Sequence, residues 1–212
     1  MTKVSVSSVL LCLMLLTGGL VSALGSDVSV AGPADAPPTS APASRLIINS
    51  ESDFTQAVAE GRCSGSGTVS DPYVLEGGSI TWTSAGPAVL VANVTSHFVI
   101  RDMVLTGDTF SDLMLSPYGI QIYNASNGRI DSCVVNGFTK NILIGTEGSG
   151  GASDGIEVSN CTITGPGTNE WNLGIELAYA ANAEIRNNTV TGCYYALFMM
   201  TSNHASVEGN NF

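Results

Sequence analysis

Ile185-Arg186-Asn187-Asn188-Thr189-Val190-Thr191-Gly192 is the stretch that decides the fold. Apolar and polar residues alternate on both sides of an Asn-Asn turn, the pattern of two short half-buried strands. The same template returns along the chain. Ile100, Ile130, Val158 and Val207 align with Ile185, while Leu105, Val135, Ile163 and Phe212 align with Val190. Gly107, Gly137, Gly165 and Gly192 close four of the copies. Ahead of each copy stands another alternating pair: Val89-x-Val91, Ile120-x-Ile122, Ile142-x-Ile144, Ile175-x-Leu177 and Leu197-x-Met199.

The copies differ in length only through insertions at corners, between Gly107 and Ile120, between Ile144 and Val158, and between Gly165 and Ile175. No 3.6-period apolar stripe is visible between residues 86 and 212, which excludes a helical repeat. Strands joined by such short connections cannot form hairpins with every copy in register. A coil that advances one strand spacing per copy, about 4.8 Å, stacks like on like. Chain chirality makes that coil right-handed. The prediction is an all-β, right-handed parallel β-helix of about six coils. Phe98, Gly128, Ile156, Ala183 and Ala205 then share one inward column, where large and small residues must divide the space.

The chain divides into unlike parts. Residues 1–23 read as a secretory signal, with Lys3, an apolar run over residues 9–16 and a Val21-Ser22-Ala23 cleavage site. The apolar run is too short for a membrane anchor, so membrane contact is expected only before cleavage. Residues 24–44, rich in Ala, Pro and Ser, read as a linker. In residues 45–85 no template copy is apparent. Leu46-Ile47-Ile48 reads as a strand, and Ser52-Asp53 as the start of a helix over residues 54–60 that caps the exposed end of the solenoid. Residues 86–212 hold the repeats. Seven basic residues against eighteen acidic ones, a net charge of −11, argue against a nucleic-acid partner.

The Gly- and Pro-punctuated segment 65–77, followed by Ile-x-x-Asn-x-Val patterns such as Ile185 to Val190, resembles the secreted right-handed parallel β-helix repeat proteins. The likeness is to the NosD-like and archaeal surface-protein branch of the pectate-lyase-like superfamily. It implies the fold over residues 46–212 and transfers no catalytic residue. The Asp-Asp and Gly-His-Gly motifs of β-helix pectinases are missing.

Two outward columns carry charge. Arg101, Asp131, Ser159, Arg186 and Glu208 place opposite charges on neighbouring coils, expected to pair as weak surface bridges. Arg129, Glu157, Glu184 and Ser206 bring two carboxylates one coil apart. Glu157 and Glu184 are thus the catalytic candidates, as an acid/base pair of the glycosidase kind, against the alternative of a solvated face neutralised by Arg129 and Arg186. No metal site is expected. NosD-like relatives are associated with copper-enzyme maturation, yet His97 and His204 lie four coils apart, about 19 Å, beyond reach of one ion. Met199 and Met200 point to opposite faces of a strand. No cofactor is expected.

Four cysteines follow the signal: Cys63, Cys133, Cys161 and Cys193. Cys133 and Cys161 share a column with Met103, Asn188 and Asn210. Their Cα atoms should lie about 5 Å apart, within disulfide range, the alternative being two stacked thiols. The column's asparagines can hydrogen-bond along the axis. Asn93, Asn124, Asn160 and Asn187 open glycosylation sequons, in a chain where β-helix turns themselves favour Asn. Phe212 falls on a template strand, so the last coil should expose a sheet edge for further coils or a partner.

A ligand site is expected at one corner. Residues 108–117 and 166–172 leave the same corner two coils apart, with the short connection 138–141 between them, forming a notch about 10 Å wide. Trp171 and Tyr118 are placed to stack on sugar faces, and Asp108, Asp112, Glu170 and Lys140 to bond hydroxyls. The alternative is a pair of ordinary corner insertions. The functional expectation is a secreted or cell-surface module, non-catalytic, that binds a polysaccharide or surface glycan or serves a structural or adhesive role. The competing expectations are a polysaccharide lyase or glycoside hydrolase of the same fold, and a NosD-like copper-maturation protein.

Overall fold

The computed structural model describes residues 45–107, 117–146, 151–167 and 171–212. The predicted signal and linker, and the three internal stretches that hold most of the corner insertions, lie outside them. Within the described residues the chain winds through three long parallel sheets. The first holds Leu46–Ile48, Gly86–Val94, Pro117–Ala125, Lys140–Gly145, Leu173–Ala178 and Tyr195–Met200. The second holds Tyr73–Glu76, Phe98–Arg101, Gly128–Asp131, Glu157–Ser159, Glu184–Arg186 and Ser206–Glu208. The third holds Ser79–Trp82, Val104–Gly107, Val134–Asn136, Thr162–Thr164 and Thr189–Thr191. Each turn of the chain visits them in that order, giving a right-handed parallel β-helix.

The register is the one the template predicts. Ile130 pairs with Ile100 and Val158, Ile185 with Val158 and Val207. Leu105, Val135, Ile163 and Val190 stack likewise in the third sheet. Ile100, Ile130, Val158 and Ile185 are fully buried, each contributing about 1.5–3 kcal/mol of apolar burial. On the last coil the inward members Val207 and Phe212 are exposed. Large and small residues do divide their column: a Cβ on Gly128 would lie 2.2 Å from the Phe98 ring.

The corners follow from backbone conformation. Between the second and third sheets the chain turns through a left-handed residue on every coil: Asp102 (φ 55), Ser132 (φ 54), Asn160 (φ 55), Asn187 (φ 55) and Gly209 (φ 66). This region is costly for most L-residues and least so for Gly, Asn and Asp, which accounts for the abundance of those residues. The next residue turns inward. Asn188, buried, accepts from the Cys161 N–H (2.9 Å) and donates to the Val158 carbonyl (2.9 Å) and to Asn210 Oδ1 (3.0 Å). The amides thus bond along the axis as expected.

Two expectations are corrected. The first part of the chain does repeat: Leu46–Ile48 pairs with Gly86–Val94, Tyr73–Glu76 with Phe98–Arg101, and Ser79–Trp82 with Val104–Gly107. These strands form a complete coil into whose corner the helix Glu51–Ala59 is inserted, which breaks the template spacing. Phe54 and Ala57 turn into the core, and the Phe54 ring stacks on Tyr73 with centroids 4.4 Å apart. Glu51 ties the helix to the next coil by accepting from the Thr95 N–H (2.7 Å), the Ser96 N–H (3.1 Å) and Ser96 Oγ (2.7 Å). Burial raises the Glu51 pKa, but these hydrogen bonds outweigh it and leave the carboxyl below its ordinary value.

The charged column also pairs differently. Arg101 bonds Glu76 of the first coil (Nε to Oε2, 2.7 Å), not Asp131. Arg186 bonds Glu157 and Glu184, not Glu208. Asp131 instead accepts from Ser159 Oγ (3.0 Å) and Asn160 Nδ2 (2.8 Å). Register brings these residues side by side; the long side chains then choose among neighbours on three columns.

Candidate functional site

The corner singled out from the sequence is built on the leading ends of the first-sheet strands. Tyr118, Lys140, Leu173 and Tyr195 form one outward column there. Lys140 Nζ lies 5.6 Å from the Tyr118 ring centroid and 2.9 Å from Glu176 Oε2. The ammonium is therefore shared between a π face and a carboxylate. Both charged side chains are largely buried, at 12 % and 3 % exposure. That geometry holds the Tyr118 ring and the lysine in a fixed relation. The contact with Glu176 is an ion pair without an aligned hydrogen bond.

Exposed aromatics stand at the same edge on the next two coils. Trp171 is 61 % exposed, Tyr194 57 % and Tyr195 41 %. The Tyr194 and Tyr195 rings meet edge to face at 4.7 Å, and Phe198 lies 5.6 Å from Tyr195. The Tyr194 N–H donates to Asn172 Oδ1, which orders the corner beside Trp171. Two-χ aromatic rings present large contact area at little conformational cost, which suits them to flat, partly apolar ligands.

The short connection between the predicted walls is packed inward. Phe138 and Asn141 are fully buried. The Phe138 ring occupies the space above Gly107, where a Cβ would lie 2.4 Å away, and Asn141 Nδ2 donates to the Leu173 carbonyl (3.0 Å) and the Phe138 carbonyl (3.3 Å). Of the predicted contact residues, Tyr118 and Lys140 are brought together and Trp171 stands exposed. Asp108, Asp112 and Glu170 lie outside the described residues. Glu176 and Tyr195 were missed; their signal was position, the outward residue of Ile175-x-Leu177 and the column mate of Lys140.

The second sheet carries the other candidate pair. Glu157 and Glu184 are register neighbours, as predicted. Arg186 Nη2 lies 3.1 Å from Glu157 Oε1 and 2.7 Å from Glu184 Oε2. Arg186 thus bridges the two carboxylates, the neutralised surface face that stood as the alternative to an acid/base pair. A groove of about 420 Å³ runs past both glutamates and Arg129 along this sheet.

Cys133 and Cys161 stand on adjacent coils, buried, as free thiols, with Cys133 Sγ 3.5 Å from the Asp131 carbonyl and Cys161 Sγ 3.2 Å from the Ser159 carbonyl. The neighbouring Cys133 and then burial push the Cys161 thiol far up, and burial pushes Cys193 up to about 11. Asn93, Asn124, Asn160 and Asn187 are all exposed, and Asn124 Nδ2 donates to Asn93 Oδ1 (2.7 Å), which the Asn93 amide continues to Asn49 Oδ1 (2.8 Å). Among the described residues no group of three or more His, Cys, Asp and Glu side chains is arranged to hold a metal ion.

A family model described as the right handed beta helix region matches residues 62–212. Neither a curated protein nor a solved structure matches the chain. The match spans the coils from the second-sheet strand Tyr73–Glu76 onward, and so includes residues 86–212, where the repeats are read from the sequence. By fold and by family model alike, the chain belongs to the right-handed beta helix region family.

Proposed function

We propose that the protein is a secreted or cell-surface β-helix module that binds a carbohydrate-like ligand without transforming it, at the corner carrying Trp171, Tyr118 and Lys140. The observation that carries this reading is the set of exposed rings on this edge: Trp171, 61 % exposed, precedes Asn172, which accepts from the Tyr194 N–H, and Tyr194 packs edge to face on Tyr195. Next to it, the buried Lys140–Glu176 pair fixes a polar point of attachment. Rigid rings with a few held polar groups are the usual makeup of a site for flat, hydroxylated ligands. The shared Arg186 on Glu157 and Glu184 weighs against a hydrolase on the second sheet. A purely structural or adhesive role would leave the exposed rings without a ligand.

Glycan-array screening of the intact chain, followed by titration of the best oligosaccharide, tests the proposal. Trp171→Ala should weaken binding roughly tenfold, about 1.4 kcal/mol. Unchanged affinity in Trp171→Ala and Tyr195→Ala together would remove the corner as the site. Release of reducing or unsaturated ends from the bound glycan would replace binding by catalysis.

A further inference from the structure

The groove of about 420 Å³ on the second sheet is a separate concavity with its own chemistry. It follows the solenoid axis across successive coils, from Val69 and Pro72 of the first coil, past Val99 and Arg129, to Glu157 and Glu184. Among the described basic side chains, Arg129 stands apart. Arg45 bonds the Pro87 carbonyl (2.7 Å), Arg62 bonds Glu60, Arg101 bonds Glu76, Lys140 forms an ion pair with Glu176, and Arg186 forms ion pairs with both groove glutamates. Arg129 has no hydrogen-bond or ion-pair partner among them, although Glu157 is its register neighbour. With Arg186 already shared between the two glutamates, the guanidinium left for an incoming anion is that of Arg129.

The remaining lining narrows the class of ligand. On one side of Arg129 the surface is aliphatic: Val99 is its register partner one coil step away, about 4.8 Å, and Val69 is largely exposed. Phe98 is buried and the one other aromatic ring in the lining is the half-buried imidazole of His97, so no exposed Phe, Tyr or Trp face is offered to a sugar. Along the corner edge stand Asn127 and Asn182. Their Nδ2 atoms are committed, to the Thr95 carbonyl (2.9 Å) and to Asp154 Oδ1 (2.7 Å). Their Oδ1 atoms accept from no donor among the described residues, and so remain acceptors for backbone N–H groups at the groove's edge.

We propose that this groove binds an extended peptide segment, with one acidic side chain on Arg129 and an aliphatic side chain two residues away against Val69, Pro72 and Val99. In an extended chain, residues i and i+2 project to the same side about 6.6 Å apart, which spans the step from the guanidinium to the aliphatic end. The carboxylate takes a charge-assisted, forked bond from Arg129. Peptide N–H groups along the edge donate to the free amide oxygens of Asn127 and Asn182.

The test is titration of the intact chain, followed by amide chemical-shift mapping, with the acetylated and amidated peptide Val-Ser-Glu-Ser-Thr and its Gln-for-Glu analogue. The expected result is saturable binding with shifts at Val99, Arg129 and Glu157. It should weaken at least about fivefold with the Gln peptide and with Arg129→Gln, and weaken with added salt. Trp171→Ala should leave it unchanged, which separates this site from the proposed glycan corner. Equal binding of both peptides, no saturation by about 5 mM, or binding of free glucuronate but of neither peptide would overturn the assignment. The peptide comparison on the unmodified protein stands even if Arg129→Gln alters folding.

Discussion

Asn188→Leu is the most informative single perturbation of this solenoid. Asn188 is 1 % exposed, and its side chain satisfies the Cys161 N–H and a lone pair of the Val158 carbonyl while meeting Asn210. Leucine has the same branched four-atom shape with bulkier, apolar ends, so the change removes the bonds without leaving room for water. The Cys161 N–H then stays buried with no acceptor, a penalty of about 1–3 kcal/mol, and the weakened Val158 and Asn210 bonds add about 1 kcal/mol more. A loss of about 2–4 kcal/mol is expected against Thr162→Val, an outward change on a neighbouring strand that should stay within about 0.5 kcal/mol. Urea unfolding followed by far-UV circular dichroism reads both, with the slope unchanged if only the folded state is affected. A loss below about 1 kcal/mol for Asn188→Leu would show that the amide stack does not hold the coils together.

Ile130→Asp places an unpaired carboxylate in the coil interior and should destabilise by several kcal/mol, whereas Arg101→Ala, on the exposed side of the same sheet, should barely move the melting temperature; equal shifts would overturn the register. Glu51 has a lowered folded-state pKa, so the stability it contributes is present above its unfolded value, about pH 4, and is lost as the pH falls through the lower folded value. Protection of the Thr95 and Ser96 amides, relative to their intrinsic exchange rates, should fall over that window in the native chain and be low throughout in Glu51→Ala; pH-independent protection would exclude the latch. Non-reduced peptide mapping should find Cys133 and Cys161 either joined to each other or both free, and a bridge from Cys133 to Cys63 would contradict the stacking seen here.

Fold and register were legible because a β-helix repeats its physics: each inward position meets the same position one coil away, so Ile100, Ile130, Val158 and Ile185 announce themselves. The first coil hid because the helix Glu51–Ala59 interrupts its spacing. The columns therefore pair Arg101 with Asp131, because its neighbour on the other side, Glu76, stands in that interrupted coil. The candidate site was legible only as far as columns reach. They place Tyr118 beside Lys140, but the turn of the ammonium toward both Tyr118 and Glu176 depends on side-chain torsions that no periodicity encodes. Likewise Glu157 and Glu184 were correctly placed side by side, while the reach of Arg186 to both changes what the pair can do.

The left-handed corners have a consequence for how the chain's sequons are to be read. Asn93, Asn124, Asn160 and Asn187 all sit at positive φ, and each is followed by a buried residue: Val94, Ala125, Cys161 and Asn188. After that comes Thr95, Ser126, Thr162 or Thr189, a hydroxyl residue on the side away from the core. Backbone geometry selects Asn at the first position, packing sets the second, and the wetted side favours a hydroxyl at the third, as Thr where a strand begins at Thr162 and Thr189. The coil therefore spells Asn-x-Ser/Thr as a by-product of turning a corner. In such a chain the tripeptide is a record of backbone curvature, and its frequency is no measure of a sugar-attaching host.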